Sequence, residues 1–357
     1  MSPSIREMSL YERTCRELTR REAVRLLSVG TAGGLVTMRA ELRVGAAPVQ
    51  DTAPIVRTVL SDVPPARLTG ATLIHEHLSM HFDDNPAFDF YRDLDLMSDE
   101  VRACAADGVS CIVDTGHPDL GRSLEALRTM ASRSGMLIVA GGGFHTKPLY
   151  PLDTVRKSEE QIAEDFFKLA TSERWGVIGE IGTGTAVLMD PEERKVLRAA
   201  ARLSTRTGLL IITHNSGDRA QCALDQVDVL EQGGVNLNRV VIGHLNEITD
   251  RPTAAPLAIA KRGAYLGFDH SGKPDDPRLP EYVRTIIAVI EAGYVEKVCL
   301  SSDFSNQKYL RKNGGPGIAM LMTTMVPRLR QAGLNDATLH QILVENPRRA
   351  LAFVPKV

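Results

Sequence analysis

Beyond residue 70, brief runs of Val, Ile, Leu and Ala recur, each followed by a longer stretch whose apolar residues fall at helical spacing. The runs cover residues 72–74, 110–113, 136–140, 176–179, 209–213, 239–243, 264–268 and 297–301. They are short and largely without polar alternation, as strands covered on both faces should be. Three of the intervening helices carry clear punctuation. One opens at Ser98-Asp99-Glu100 and closes at Gly108. Another has Asp190 as N-cap, Pro191 in the first turn, Glu192 and Glu193 at the dipole's positive end, and Gly208 as its stop. Its Val196, Leu197, Ala200 and Leu203 share one face. A third, over 281–292, turns Ile286, Ile287 and Ile290 inward and stops at Gly293. Eight strand–helix units, spaced roughly 25 to 40 residues apart, predict an α/β chain folded as a single (β/α)8 TIM barrel. A doubly wound open sheet is the competing arrangement, but no GxGxxG follows the first strand to support it.

Upstream the pattern changes. Residues 55–60 read as a short strand that Pro64-Pro65 ends. Before them, Leu18-Thr19-Arg20-Arg21-Glu22-Ala23-Val24 precedes a weakly apolar run over 26–38 and the small residues Val44-Gly45-Ala46-Ala47-Pro48. Paired arginines, a mild apolar run and small residues, in that order, predict a twin-arginine-type signal over residues 1–49. Export to the periplasm or the extracellular space would follow, with cleavage between Val44 and Gln50 and 50–357 as the mature domain. A cytosolic amphipathic helix is the plain alternative, and Arg25 speaks for it. The apolar run is too short for a permanent membrane anchor.

Composition narrows the partners. The 357 residues carry 24% charged side chains and a formal net charge of −2, without a basic run. Nothing there attracts nucleic acid or an anionic membrane, so the expected partner is a small-molecule substrate. Five cysteines without CxxC spacing read as small buried hydrophobes.

The candidate chemistry lies in the histidines. Thr72-Leu73-Ile74-His75-Glu76-His77 runs an apolar strand into an HxH. With side chains alternating, His75 and His77 share a face and Glu76 points away, which removes Glu76 as a ligand. Alone, such a pair is an ordinary feature of a strand emerging into solvent. The other histidines change its weight. His117 follows the second strand, His145 the third, His214 the fifth, His244 the sixth and His270 the seventh; of nine, only His81 and His340 fall elsewhere. In a barrel those strand ends form one rim, where active sites are built.

Two acids join them: Glu180 ends strand four between Gly179 and Gly182, and Asp303 ends strand eight. A buried strand-end carboxylate is costly unless paired or bound to metal. A salt bridge to a rim lysine or arginine for Glu180, and an N-cap or loop hydrogen bond for Asp303, are the alternatives. Together His75, His77, Glu180, His214, His244 and Asp303 supply nitrogen and carboxylate ligands suited to Zn2+ or a similar divalent ion. Six ligands exceed one catalytic zinc, so two divalent ions sharing a carboxylate is the better count, and hydrolysis the implied chemistry.

These motifs resemble the phosphotriesterase-like family of the amidohydrolase superfamily. The matching stretches are Gly70-Ala71-Thr72-Leu73-Ile74-His75-Glu76-His77, Asp119-Leu120-Gly121-Arg122, Gly179-Glu180-Ile181-Gly182-Thr183, Thr213-His214, Gly243-His244, Ser302-Asp303 and Asn346-Pro347-Arg348-Arg349-Ala350-Leu351. The resemblance implies a (β/α)8 barrel with a binuclear centre. His75, His77 and Asp303 would hold the more buried ion, and His214 and His244 the exposed one. A strand-four residue and a hydroxide would bridge them, with Asp303 as general base for the attack. A homodimer is a further expectation from the family.

This chain departs from the family in two places. Many members carry a carboxylated lysine on strand four, where this chain has Glu180, as does a subgroup of the family. A glutamate bridges from a shorter arm, so organophosphate hydrolysis does not carry over automatically. After strand three, Gly141-Gly142-Gly143-Phe144-His145-Thr146-Lys147 stands where many relatives place a tyrosine. There His145 and Lys147 are candidates for binding a substrate carboxylate or phosphate, with solvated loop residues as the alternative. His270 and His117 are further candidates near the substrate.

The leading expectation is therefore a metal-dependent hydrolase of an ester, lactone or phosphoester. An amide (N-acyl) hydrolase with the same centre and a non-catalytic metal-binding barrel are the competing readings. Lys308, Arg311 and Lys312, in the loop over 304–318, suggest a cationic lid and an anionic substrate.

Overall fold

The computed structural model describes residues 53–82, 85–184, 189–216 and 219–356. The expected signal segment, its cleavage site and residue 357 lie outside the described residues. Each of the eight apolar runs forms a parallel strand: β1 (Ala71–Glu76), β2 (Val109–Asp114), β3 (Leu137–Ala140), β4 (Val177–Thr183), β5 (Leu210–Asn215), β6 (Val240–Ile242), β7 (Tyr265–Phe268) and β8 (Val298–Leu300). A helix follows every strand: α1 (Leu94–Ala106) comes before β2, then α2 (Leu124–Ser134), α3 (Glu159–Glu173), α4 (Pro191–Thr207), α5 (Ala220–Gln232), α6 (Ala254–Arg262), α7 (Leu279–Val289) and α8 (Met320–Gln331).

Strands β1 to β3 pair in order as one arc, and β4 to β8 pair in order as a second. The arcs meet at both edges. Between β3 and β4, Gly176 N donates to Ala140 O at 2.9 Å and Gly179 N to Gly142 O at 2.8 Å. Between β8 and β1, Asp303 N donates to His75 O at 3.2 Å and His77 N to Phe304 O at 2.9 Å. This is the (β/α)8 TIM-barrel architecture.

Two apolar layers hold it together. Ile74, Cys111, Val113, Val139, Val177, Leu210, Ile212, Val241 and Cys299 form an inner cluster, joined by Ala350 and Leu351 of the C-terminal helix Asn346–Leu351. Strand residues of the other parity, such as Leu73, Ile112, Ile178 and Ile211, pack with the helices. Asn346 secures the C-terminal helix by donating to Val295 O at 2.8 Å and Val298 O at 2.7 Å.

Three local expectations are corrected. The helix expected from Ser98 begins at Leu94, because Asp93 caps it by accepting from Leu96 N at 3.0 Å. Ser98 lies inside, its hydroxyl donating to Leu94 O. The strand expected over 55–60 shrinks to Val56–Arg57, which pairs antiparallel with Asp62–Val63. Thr58 starts the turn between them by donating its hydroxyl to Ser61 O at 2.7 Å. In α7 the buried positions include Tyr282, Ile286 and Val289, while Ile287 is only half-buried. The four cysteines among the described residues are buried and free, as expected for small hydrophobes. No helix among the described residues is long and apolar enough to cross a membrane.

Candidate metal centre

All six residues anticipated as ligands converge at the C-terminal ends of the strands, around the buried carboxylate of Glu180. Oε2 of Glu180 lies 3.0 Å from His75 Nε2 and 2.8 Å from His214 Nδ1. Its Oε1 lies 3.1 Å from His77 Nε2. The same His77 nitrogen is 3.2 Å from Asp303 Oδ1, and His244 Nε2 is 2.7 Å from His214 Nδ1. Two triplets of donor atoms, His75/His77/Glu180 and His145/Glu180/His214, share Glu180. A carboxylate common to two donor sets is the arrangement a bridging ligand requires.

Strand irregularity produces this convergence. Alternation would place Glu180 outward, since Val177 lies in the inner cluster and Ile178 and Ile181 in the outer one. The β4–β5 register shifts between Ile178 and Ile181, and Gly179 adopts φ +133°. That turns Glu180 into the barrel. A Cβ on Gly179 would meet Ile212 O at 2.1 Å, so only glycine permits the approach. A similar shift lies between Leu73 and Glu76 in β1, where Leu73 packs outward although His75 reaches Glu180.

A divalent ion suits this donor set. Ring nitrogens and carboxylate oxygens face one another at contact distance. Burial disfavours a charge on His77, yet Glu180 and Asp303 raise its pKa to about 10. Burial would lift Glu180, but His214, His75, His145 and His77 hold it well below the usual carboxylate range. Burial, with His214 and His270 alongside, outweighs Asp269 and lowers His244 to about 4, leaving it the neutral imidazole a metal needs.

Asp269, which follows β7, was not among the anticipated residues. Its carboxylate lies 2.7 Å from His244 Nδ1 and 3.2 Å from His75 Nδ1. It also accepts from His244 N at 2.9 Å, holding that residue at φ +56°. Asp269 therefore fixes which nitrogen two anticipated ligands present. Its adjacency to His270 at a strand end was the available signal. Asp269→Asn is expected to weaken metal binding about 10- to 100-fold without unfolding the chain, measured by competition with a chelator of known affinity.

Asp303 is the second centre of contacts. Its Oδ2 lies 2.8 Å from His270 Nε2 and 3.1 Å from Lys273 Nζ, and His270 Nδ1 lies 2.9 Å from Glu247 Oε1. Glu76 points away from the ligands, as anticipated, and braces this side. It accepts from Ser301 Oγ at 2.7 Å and Ser302 N at 2.9 Å, fixing the segment that carries Asp303.

The remaining candidates separate. His145 Nδ1 lies 3.8 Å from Glu180 Oε1, among the donors instead of out in the loop. His117 lies behind the cluster: its Nε2 bonds the Glu180 carbonyl at 2.8 Å, and its Nδ1 pairs with Asp119. Lys147 is exposed, and its ammonium pairs with Asp190 at 2.7 Å, away from this cluster. The expected cationic lid is largely neutralised: Lys308 pairs with Asp275 at 2.8 Å and Arg311 with Asp107. Acids from elsewhere in the chain had no signature in the loop's own sequence.

A model of the phosphotriesterase family matches residues 54–351. N-acetyltaurine hydrolase of Bos taurus is 27% identical over 347 residues, covering 84% of this chain and 98% of that protein. The phosphotriesterase homology protein of Escherichia coli (strain K12) is 31% identical over 296 residues, 78% of this chain and 97% of its own. The crystal structure of that protein, with phosphate in its active site, superposes with a TM-score of 0.73. A resiniferatoxin-binding protein from Rhodobacter sphaeroides superposes with a TM-score of 0.74 at 30% identity, covering 83% of this chain and 94% of that one.

Proposed function

This chain belongs to the phosphotriesterase family, and we propose that within it the protein hydrolyses an ester-type bond with Asp303 as the proton acceptor. It is a metal-dependent hydrolase, and the family's centre is binuclear. The observation that carries the reading is the sharing of Glu180 between two donor triplets, with Asp303 alongside at His77. His75, His77, His214, His244, Glu180 and Asp303 would hold two divalent ions, with Zn2+ suited to the nitrogen-rich set. Bound there, such ions acidify a water and polarise the bond under attack.

The chain's own groups do the rest. Asp303 Oδ2 takes the proton lost as water attacks. His270, 2.8 Å away, and Glu247 behind it lead that proton on toward the leaving group or solvent. Asp269 keeps His75 and His244 in their ligand orientations. Carboxylic esters, lactones and phosphoesters all present an electrophile that this arrangement accommodates. The phosphate in the Escherichia coli relative's active site supports room for a tetrahedral oxyanion.

Amide hydrolysis is the second reading, favoured by the N-acetyltaurine hydrolases among the relatives. A departing amine must be protonated, and the 2.8 Å contact between Asp303 and His270 supports return of the proton by that pair.

Metal analysis joined to a substrate panel tests both readings. About two ions per chain are expected, with turnover of a lactone, phosphoester or N-acyl compound that a chelator abolishes. Protein without stoichiometric metal would overturn the proposal. Because Glu180 and Asp303 hold His77 protonated up to about pH 10 in the metal-free chain, loading must expel that proton. Affinity should therefore rise with pH through the neutral range and fall in acid. Calorimetry in two buffers of different ionisation enthalpy reads the released proton.

A further inference from the structure

Few cations reach the mouth of this site. Lys308 is paired with Asp275 at 2.8 Å, Arg278 with Asp276 at 3.0 Å, and Lys147 with Asp190 at 2.7 Å. Lys273 differs. Its Nζ lies 3.1 Å from Asp303 Oδ2, on the oxygen assigned to take the proton.

The backbone is built to put it there. Gly272 passes so close to the end of β8 that a Cβ would meet Ser302 Oγ at 2.0 Å and Leu321 N at 2.9 Å. Any other residue would lift the loop, and Lys273 with it, off Asp303. The turn that follows is closed by Asp276 N donating to Lys273 O at 3.2 Å.

The ammonium is under-used where it stands. It has three donors, and Asp303 Oδ2 is its one hydrogen-bond acceptor among the described residues. That oxygen is also contacted by His270 Nε2 at 2.8 Å. The side chain keeps 19% of its surface exposed, so it opens to the mouth and is not sealed in the core. A largely buried ammonium with spare donors beside a reacting centre calls for an anionic partner.

We infer that Lys273 is a specificity-determining residue, binding a carboxylate, sulfonate or phosphate that the substrate carries a few bonds from the scissile bond. The inference rests on the hydrolase reading above. If Lys273 served only to hold Asp303, its loss would slow charged and uncharged substrates alike.

Monomethyl succinate and dimethyl succinate present the same ester with and without a carboxylate. With the metal-loaded protein, Lys273→Met is expected to cut the kcat/KM preference for the monoester over the diester by at least about tenfold, mainly through KM. Lys273→Arg, which keeps the charge, is expected to retain most of that preference. Succinate itself, titrated into the metal-loaded protein by calorimetry, should bind about tenfold more weakly to Lys273→Met. A preference and a succinate affinity both within about twofold of wild type would overturn the inference. Hydrolysis of neither ester by the wild-type protein would count against the ester reading alone, and the succinate titration would then decide the inference.

Discussion

Glu180→Gln is expected to reduce bound metal from about two ions per chain to about one, and turnover by about a thousandfold. The substitution preserves volume but removes the negative charge and one of the two oxygens. Those oxygens face different partners: Oε1 lies 3.1 Å from His77 and 3.8 Å from His145, Oε2 3.0 Å from His75 and 2.8 Å from His214. An amide offers one acceptor and presents N–H groups to the other set, so one ion loses its shared ligand. The remaining imidazoles are then crowded around a neutral group. Metal analysis after gel filtration, with a thermal melt to establish folding, reads the outcome. A folded variant that kept both ions and wild-type kcat would show that Glu180 does not bridge.

Asp303→Asn is the second large effect, with kcat expected to fall by about 10²- to 10⁴-fold. Asparagine is the informative replacement because residue 303 sits at φ +48°, a conformation that Asp and Asn tolerate and most side chains do not. Asparagine can retain an oxygen toward His77, where Asp303 Oδ1 lies at 3.2 Å. It no longer offers a basic oxygen to the proton, and the ion pairs with His270 and Lys273 are lost. A variant that stayed folded and metal-loaded with undiminished kcat would remove Asp303 from the proton-accepting role. The two variants separate metal assembly from proton transfer, because Glu180 has contacts in both donor triplets and Asp303 has contacts on the relay.

The strands were legible because a strand buried on both faces needs an unbroken apolar run, and each of the eight runs became one. Strand ends moved by one to a few residues; β4, for example, runs on to Thr183. The 191–207 helix was legible to its caps, since Asp190 and Gly208 are strong local signals. The start of α1 was not, because Asp93 and Ser98 are both competent caps and only one is used. In the same way, Lys308 and Arg311 looked free until Asp275 and Asp107 were brought to them by the fold.

What the sequence determined by itself was the inventory: eight strand–helix units, and histidines and acids held at the ends of those strands. That follows from local periodicity, so seven histidines could be placed on one rim before any contact was known. What tertiary structure alone decided was aim and partnership. Glu180 faces the barrel only because the register against β5 shifts beside Gly179. His75 meets it across 105 residues of chain. Asp269 and Lys273 gain their roles from contacts with His75, His244 and Asp303. Register shifts and long-range hydrogen bonds arise from how strands settle against one another, and no local pattern encodes them. His75 and His77 gained their weight from the other strand-end histidines, and Glu180 stood beside them as a candidate ligand; that a bulge turns its carboxylate in between the two was decided only in the folded chain.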